Sequence, residues 1–153
     1  MRCIFLIITT LLLACNNQMD ENKNKTYQDP IEIDAIKLVL EDQKTSWNNG
    51  DIEGFMKGYW NSDKLIFTST QHKPTYGWKA TLKRYKESYP SKVSMGRLEF
   101  KILNISLESE KKAKLKGEWR IIRQPDNTSG KFWLDLNKFD QNWFIIKDST
   151  TSF

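Results

Sequence analysis

The chain has 153 residues, two cysteines, one histidine and a formal charge of +5 from 24 basic and 19 acidic residues. So mild a charge gives no reason to expect a nucleic-acid partner, and so few His and Cys leave no room for a disulfide framework or a zinc site of the usual spacing. The load of 6 Trp, 5 Tyr and 8 Phe instead implies a large core, an aromatic-lined pocket, or both.

Residues 1–14 read as a bacterial lipoprotein signal peptide. Arg2 supplies the basic start and Ile4 to Leu13 the apolar run, which ends in Leu12-Leu13-Ala14-Cys15. A membrane span needs about 20 apolar residues, whereas signal-peptide apolar regions run to about 7–15. Cys15 is the expected lipidation site. That places the protein in the cell envelope, held to a membrane through lipid and facing the periplasm or exterior. Cys3 falls in the removed segment, so the remaining domain holds no thiol for a disulfide, a metal or a nucleophile. Residues 15–28 are polar enough to read as a flexible tether. The domain is expected over 29–153, a size that suits one core.

Asp29-Pro30-Ile31-Glu32 has the form of a capping box with proline at the first helical position. Ile36, Val39, Leu40 and Trp47 mark the apolar stripe of that helix, and Gly50 stops it. Asp51 caps a second, short helix with Phe55, Met56, Tyr59 and Trp60. Leu65 to Thr68 is a short strand, and Ser69 to Gly77 reads as a polar loop. Trp78, Leu82, Tyr85 and Tyr89 share one face of a third helix, which Pro90 ends.

The remainder reads as strands. From Arg97 to Leu107 the alternation changes phase between Ile102 and Leu103, which predicts a bulge and a bend. Ala113 to Arg123 sets Leu115, Gly117, Trp119 and Ile121 against Lys114, Lys116, Glu118 and Arg120. The lysines read as a solvated outer sheet face. Only one of Glu118 and Trp119 faces inward, and Trp119 is the better fit. A polar turn follows at Gln124 to Gly130, then strands over Lys131 to Phe139 and Trp143 to Thr150, separated by a turn at Asn137 to Asn142. Helices followed by an antiparallel meander give an α+β class.

The first-helix ending Trp47-Asn48-Asn49-Gly50-Asp51, the Gly58-Tyr59-Trp60 close of helix two, Leu65-Ile66-Phe67 and Gly77-Trp78 stand in a distinctive order. With them go Tyr85-Lys86, Tyr89-Pro90, Gly117-Glu118-Trp119, Gly130-Lys131-Phe132 and Trp143-Phe144-Ile145-Ile146-Lys147-Asp148. In that order and spacing the chain resembles the nuclear transport factor 2-like superfamily, especially its SnoaL-like and ketosteroid-isomerase-like domains, from about Ile31 to Phe153. The resemblance implies N-terminal helices packed on a strongly curved antiparallel sheet, a cone with an internal pocket. It also implies a possible homodimer through the outer sheet face. Members include isomerases, dehydratases and non-catalytic binding modules, so fold alone does not choose the function.

The isomerase type resembles this chain at the strand where it places its catalytic carboxylate, and the matching stretch here is Phe67-Thr68-Ser69-Thr70, with no acid. The catalytic candidates are therefore Asp148, Tyr59 and His72, with His72 in the polar loop and Asp148 able to point inward as a lone acid. Trp47, Tyr59, Phe67, Trp78, Tyr85, Trp119, Trp133 and Asp148 form the expected ligand-binding set. No phosphate-cradling loop, dinucleotide fingerprint or nucleophile elbow is present, so no cofactor or metal is expected. The leading reading is a membrane-tethered domain that binds a small apolar or aromatic molecule. The alternatives are a lyase or isomerase using a pocket carboxylate, and a dimerising interaction module of the envelope. An Asp148 that lines a desolvated cavity beside a tyrosine hydroxyl favours the enzyme.

Overall fold

The computed structural model describes residues 29–124 and 126–153. The signal peptide, Cys15 and the tether lie outside the described residues.

Helix α1 (Pro30–Asn48) begins as expected, with the Asp29 side chain accepting from Ile31 N at 2.9 Å. The expected capping box does not close. Glu32 turns away from the cap to accept from Trp143 Nε1 at 2.7 Å and from Lys138 Nζ, which ties the helix start to the far end of the sheet. The buried stripe is Ile36, Leu40, Gln43 and Trp47. Gln43 is tolerated inside because its Nε2 donates to Phe55 O at 3.1 Å. Gly50 leaves the helix at φ 81°, a conformation glycine adopts without strain. Asp51 then caps α2 (Ile52–Met56) through Gly54 N at 2.7 Å.

Strands β1 (Ile66–Ser69) and β2 (His72–Tyr76) form a hairpin where the sequence suggests a polar loop. The reason is position: β2 is the sheet edge, where polar residues and Pro74 lose little. Helix α3 (Trp78–Ser88) and a single turn, α4 (Lys92–Met95), follow. The meander comprises β3 (Arg97–Ser109), β4 (Lys112–Ile122), β5 (Thr128–Phe139) and β6 (Asn142–Thr150). The sheet order is β2-β1-β6-β5-β4-β3. It is antiparallel except where β1 runs parallel to β6, with Phe67 opposite Asp148.

Two bulges shape the concave face. Ile102 pairs with Gly117 and Asn104 with Lys116, so Leu103 is the extra residue that the phase change predicts. Gly117 permits the bend: a Cβ there would stand 2.4 Å from Phe132 Cζ and 2.8 Å from Lys101 O. The second bulge is in β6. Asp135 pairs with Lys147 but Leu136 pairs with Ile145, leaving Ile146 unmatched. Trp143 and Ile145 are buried before it and Asp148 after it, although simple alternation would put Asp148 on the opposite face from Ile145.

The helices lie on the concave face over Leu115, Phe132, Leu134, Leu136 and Ile145. Trp47 Nε1 donates to Met95 O at 3.0 Å, and Asn48 pairs with Leu98 through both backbone groups. The sheet curves without closing, so the cone keeps an open mouth.

Candidate functional site

The cavity inside the cone has a volume of about 160 Å³. That is comparable to an engineered apolar cavity of about 150 Å³ that takes benzene. Trp47, Phe55 and Tyr59 form one wall, Tyr85 of α3 and Tyr89 just after it the roof, and Phe67, Phe100, Trp119 and Phe132 the sheet side. The rings meet largely edge to face: Trp47 lies 5.1 Å from Phe55 and 4.7 Å from Tyr89, and Phe67 lies 5.7 Å from Tyr85.

Asp148 is the single acid in this lining and is 6% exposed. The Ile146 bulge turns it inward. The segment Gly58–Trp60 grips the same bulge, since Ile145 N donates to Gly58 O at 2.9 Å and Trp60 N to Ile145 O at 2.9 Å. That grip sets Tyr59 beside the carboxylate, and its hydroxyl donates to Asp148 Oδ2 at 2.7 Å. Oδ1 is buried with no partner. Leu134 and Phe67 flank Asp148 on the two neighbouring strands.

Burial among apolar neighbours pushes the Asp148 carboxyl up to about 7, against the opposing pull of the Tyr59 hydrogen bond. Burial likewise raises Tyr59 well above the ordinary tyrosine value, with the Asp148 charge adding to it, so Tyr59 stays a donor at neutral pH. The Tyr85 hydroxyl lies 3.4 Å from that of Tyr59. Tyr59 has one hydrogen and gives it to Asp148, so Tyr85 must be the donor in that longer contact. The relay runs Tyr85 to Tyr59 to Asp148, and the Tyr85 hydroxyl, weakly held, is the one able to turn to a ligand oxygen. The arrangement is a buried cavity-lining carboxyl with one oxygen held by Tyr59 and the other without a partner, able to take or give a proton near neutral pH.

Of the sequence-derived ligand set, Trp47, Tyr59, Phe67, Tyr85, Trp119 and Asp148 line the cavity. Trp78 does not: its Nε1 is spent on Met56 O at 2.9 Å, locking α3 to α2. Trp133 does not either. It sits opposite Lys116 on the outer face at 47% exposure, because Phe132 and Leu134 take the inward positions of β5. His72 stands exposed on β2 at the cavity rim, and no hydrogen bond joins it to Tyr59 or Asp148. Glu118 points outward, 3.7 Å from Lys101. The sequence reading missed Tyr89, which its i+4 spacing from Tyr85 offered, and Arg84 and Ser69 at the rim, for which no periodic signal exists. No cluster of three metal-ligating side chains occurs among the described residues.

No family model matches the chain, and no curated protein matches it. Solved structures do. An NTF-2 like protein of unknown function from Shewanella oneidensis is 37% identical with a TM-score of 0.76, over 78% of this chain and 98% of that one. A ketosteroid isomerase-like protein from Erwinia carotovora atroseptica is 13% identical with a TM-score of 0.66, over 82% and 98%. A scytalone dehydratase candidate from Novosphingobium aromaticivorans is 14% identical with a TM-score of 0.63, over 80% and 85%. At such identities the latter two likenesses concern the fold alone.

Proposed function

The chain belongs to the nuclear transport factor 2-like family, and on that premise we propose that it is a proton-transfer enzyme of isomerase or dehydratase type acting on a ring-sized apolar molecule. The observation that carries the proposal is the buried Asp148, with Oδ2 held by Tyr59 and Oδ1 unpartnered in an aromatic cavity. Asp148 as carboxylate takes a proton from a carbon next to a carbonyl, and the C–H electron pair moves into the enolate. The Tyr85 hydroxyl turns to the enolate oxygen. Asp148 then returns the proton to a second carbon, which is isomerisation. In dehydration, hydroxide leaves the β-carbon and departs as water with that proton. Neither course needs a further reactant.

The probe is 3-cyclohexenone, whose conversion to the conjugated enone is followed by ultraviolet absorbance. Wild type accelerates it above buffer, and Asp148→Asn loses about 10²-fold or more of that acceleration. The ionised form is the base, so the rate rises with pH through about 7 and then levels off. Equal rates for the two proteins would end the catalytic reading. The cavity's aromatic walls support a second reading, non-catalytic binding of the same class of molecule, in which Asp148→Asn leaves affinity and function intact.

The proposal includes the lipid anchor on Cys15, which the Leu12-Leu13-Ala14-Cys15 sequence supports. Labelled palmitate should enter the wild-type chain and not the Cys15→Ser variant. A homodimer would use the outer sheet face. Exposed Lys114, Lys116 and Arg120 on that face oppose it, although the exposed rings of Trp133 and Tyr76 lie there too.

A further inference from the structure

Arg84 is the cation of the cavity rim. It precedes Tyr85 on α3, and its guanidinium carbon lies 4.8 Å from the centroid of the Phe67 ring. Nη1 donates to Thr75 Oγ1 at 3.1 Å and Lys73 O at 3.3 Å, and Nη2 to Ser69 Oγ at 3.0 Å. All three acceptors are neutral. Of the two partly buried arginines among the described residues, Arg123 faces Asp126 at 3.3 Å, whereas Arg84 has no ion pair with a carboxylate. Asp148 makes its hydrogen bond with Tyr59, and its other oxygen has no partner, so no direct contact joins it to Arg84.

A partly desolvated guanidinium with only neutral acceptors keeps a charge uncompensated. Of its five N–H donors three are used, and the rest remain for an incoming group. The β1–β2 hairpin oxygens and the Phe67 ring fix the fork in place, so little rotamer freedom is lost when an anion docks. Lys73 and His72 stand on the same hairpin, and the one acid of the lining, Asp148, is held by Tyr59 rather than by Arg84.

We propose that the ligand carries a carboxylate, which Arg84 binds at the cavity mouth while the apolar ring lies against Phe67 and Tyr85 and its far end faces Asp148. The substrate class is then a small ring-bearing carboxylic acid, and Arg84 is a specificity residue. This rests on the reading of the cavity as a small-molecule site. Its recognition half is separable from the chemistry.

The test is calorimetric titration of the full chain with benzoate and with benzyl alcohol, a neutral ring of similar size. Benzoate should bind wild type at least about tenfold more tightly, as a charge-assisted pair implies. Arg84→Met should remove that preference and leave benzyl alcohol within about twofold. Arg84 also holds the hairpin, so a second readout uses wild type alone: added salt should weaken benzoate and spare benzyl alcohol. Equal binding of the two probes to wild type, or equal weakening of both by Arg84→Met, overturns the role of Arg84 and leaves the cavity reading standing. Failure of both probes to bind at millimolar concentration overturns both readings.

Discussion

Asp148→Asn should make the protein more stable at pH 8 than wild type, and the gain should vanish and then reverse as pH falls toward 4. The folded-state carboxyl is raised from 3.8 to about 7. Between those values the folded protein holds a proton that the unfolded chain has released, so wild-type stability falls as pH rises through the window and is lowest above it. A shift of that size is worth about 4 kcal/mol at most. Asparagine removes the charge and still accepts from Tyr59. Its amide then occupies the position of the unpartnered Oδ1, which costs about 1–3 kcal/mol. The expected net gain is about 1–3 kcal/mol, or roughly 5 °C in Tm for a domain of this size. Thermal unfolding across pH 4–9 measures it. A variant less stable than wild type at pH 8 would mean that the carboxylate is not desolvated as its surroundings imply. A site residue that costs stability at the working pH is what a functional carboxyl looks like, since a structural role would select the amide.

Asn48→Ala should cost about 2–4 kcal/mol, seen as a lower urea midpoint with an unchanged slope. The side-chain amide behaves as one more peptide unit on the edge of β3. Nδ2 donates to Leu98 O at 3.1 Å, and Leu98 N donates to Oδ1 at 2.7 Å. Removing it strands two partly buried backbone groups and loosens α1 from the strand that carries Leu98 and Phe100, both in the cavity wall. Asn49→Ala is the control. Asn49 is exposed with no side-chain bond of this kind, and the change should stay within about 0.5 kcal/mol.

The elements legible in the sequence are those with a strong local signal. Asp29, Gly50 and Asp51 mark the helix ends, the phase change at Ile102–Leu103 marks the β3 bulge, and the alternation of β4 puts Trp119 inward and Glu118 outward. The hairpin at β2 was hidden because an exposed edge strand carries the same polar residues as a loop. Glu32 illustrates a different failure: its spacing fits a capping box, but a lysine and an indole far along the chain compete for the same carboxylate and win. Residue type alone puts Trp78 and Trp133 in the pocket, and type does not reveal a spent N–H or the outward side of a strand. The most consequential hidden feature is the β6 bulge. Trp143-Phe144-Ile145-Ile146 is apolar on both faces, so nothing in it marks Ile146 as the extra residue that turns Asp148 into the cavity. The sequence allows an inward Asp148 without supplying the reason. Arg84 is invisible for a similar cause, since its meaning lies in a missing counterion, which only packing reveals.

Carbon-13 titration of the Asp148 side-chain carboxyl, assigned by its disappearance in Asp148→Asn, tests the central claim most directly. A midpoint near 7 is the expected result for a buried carboxyl poised to exchange protons with a ligand. A midpoint near 4 would show an ordinary solvated carboxylate and contradict the proton-transfer site.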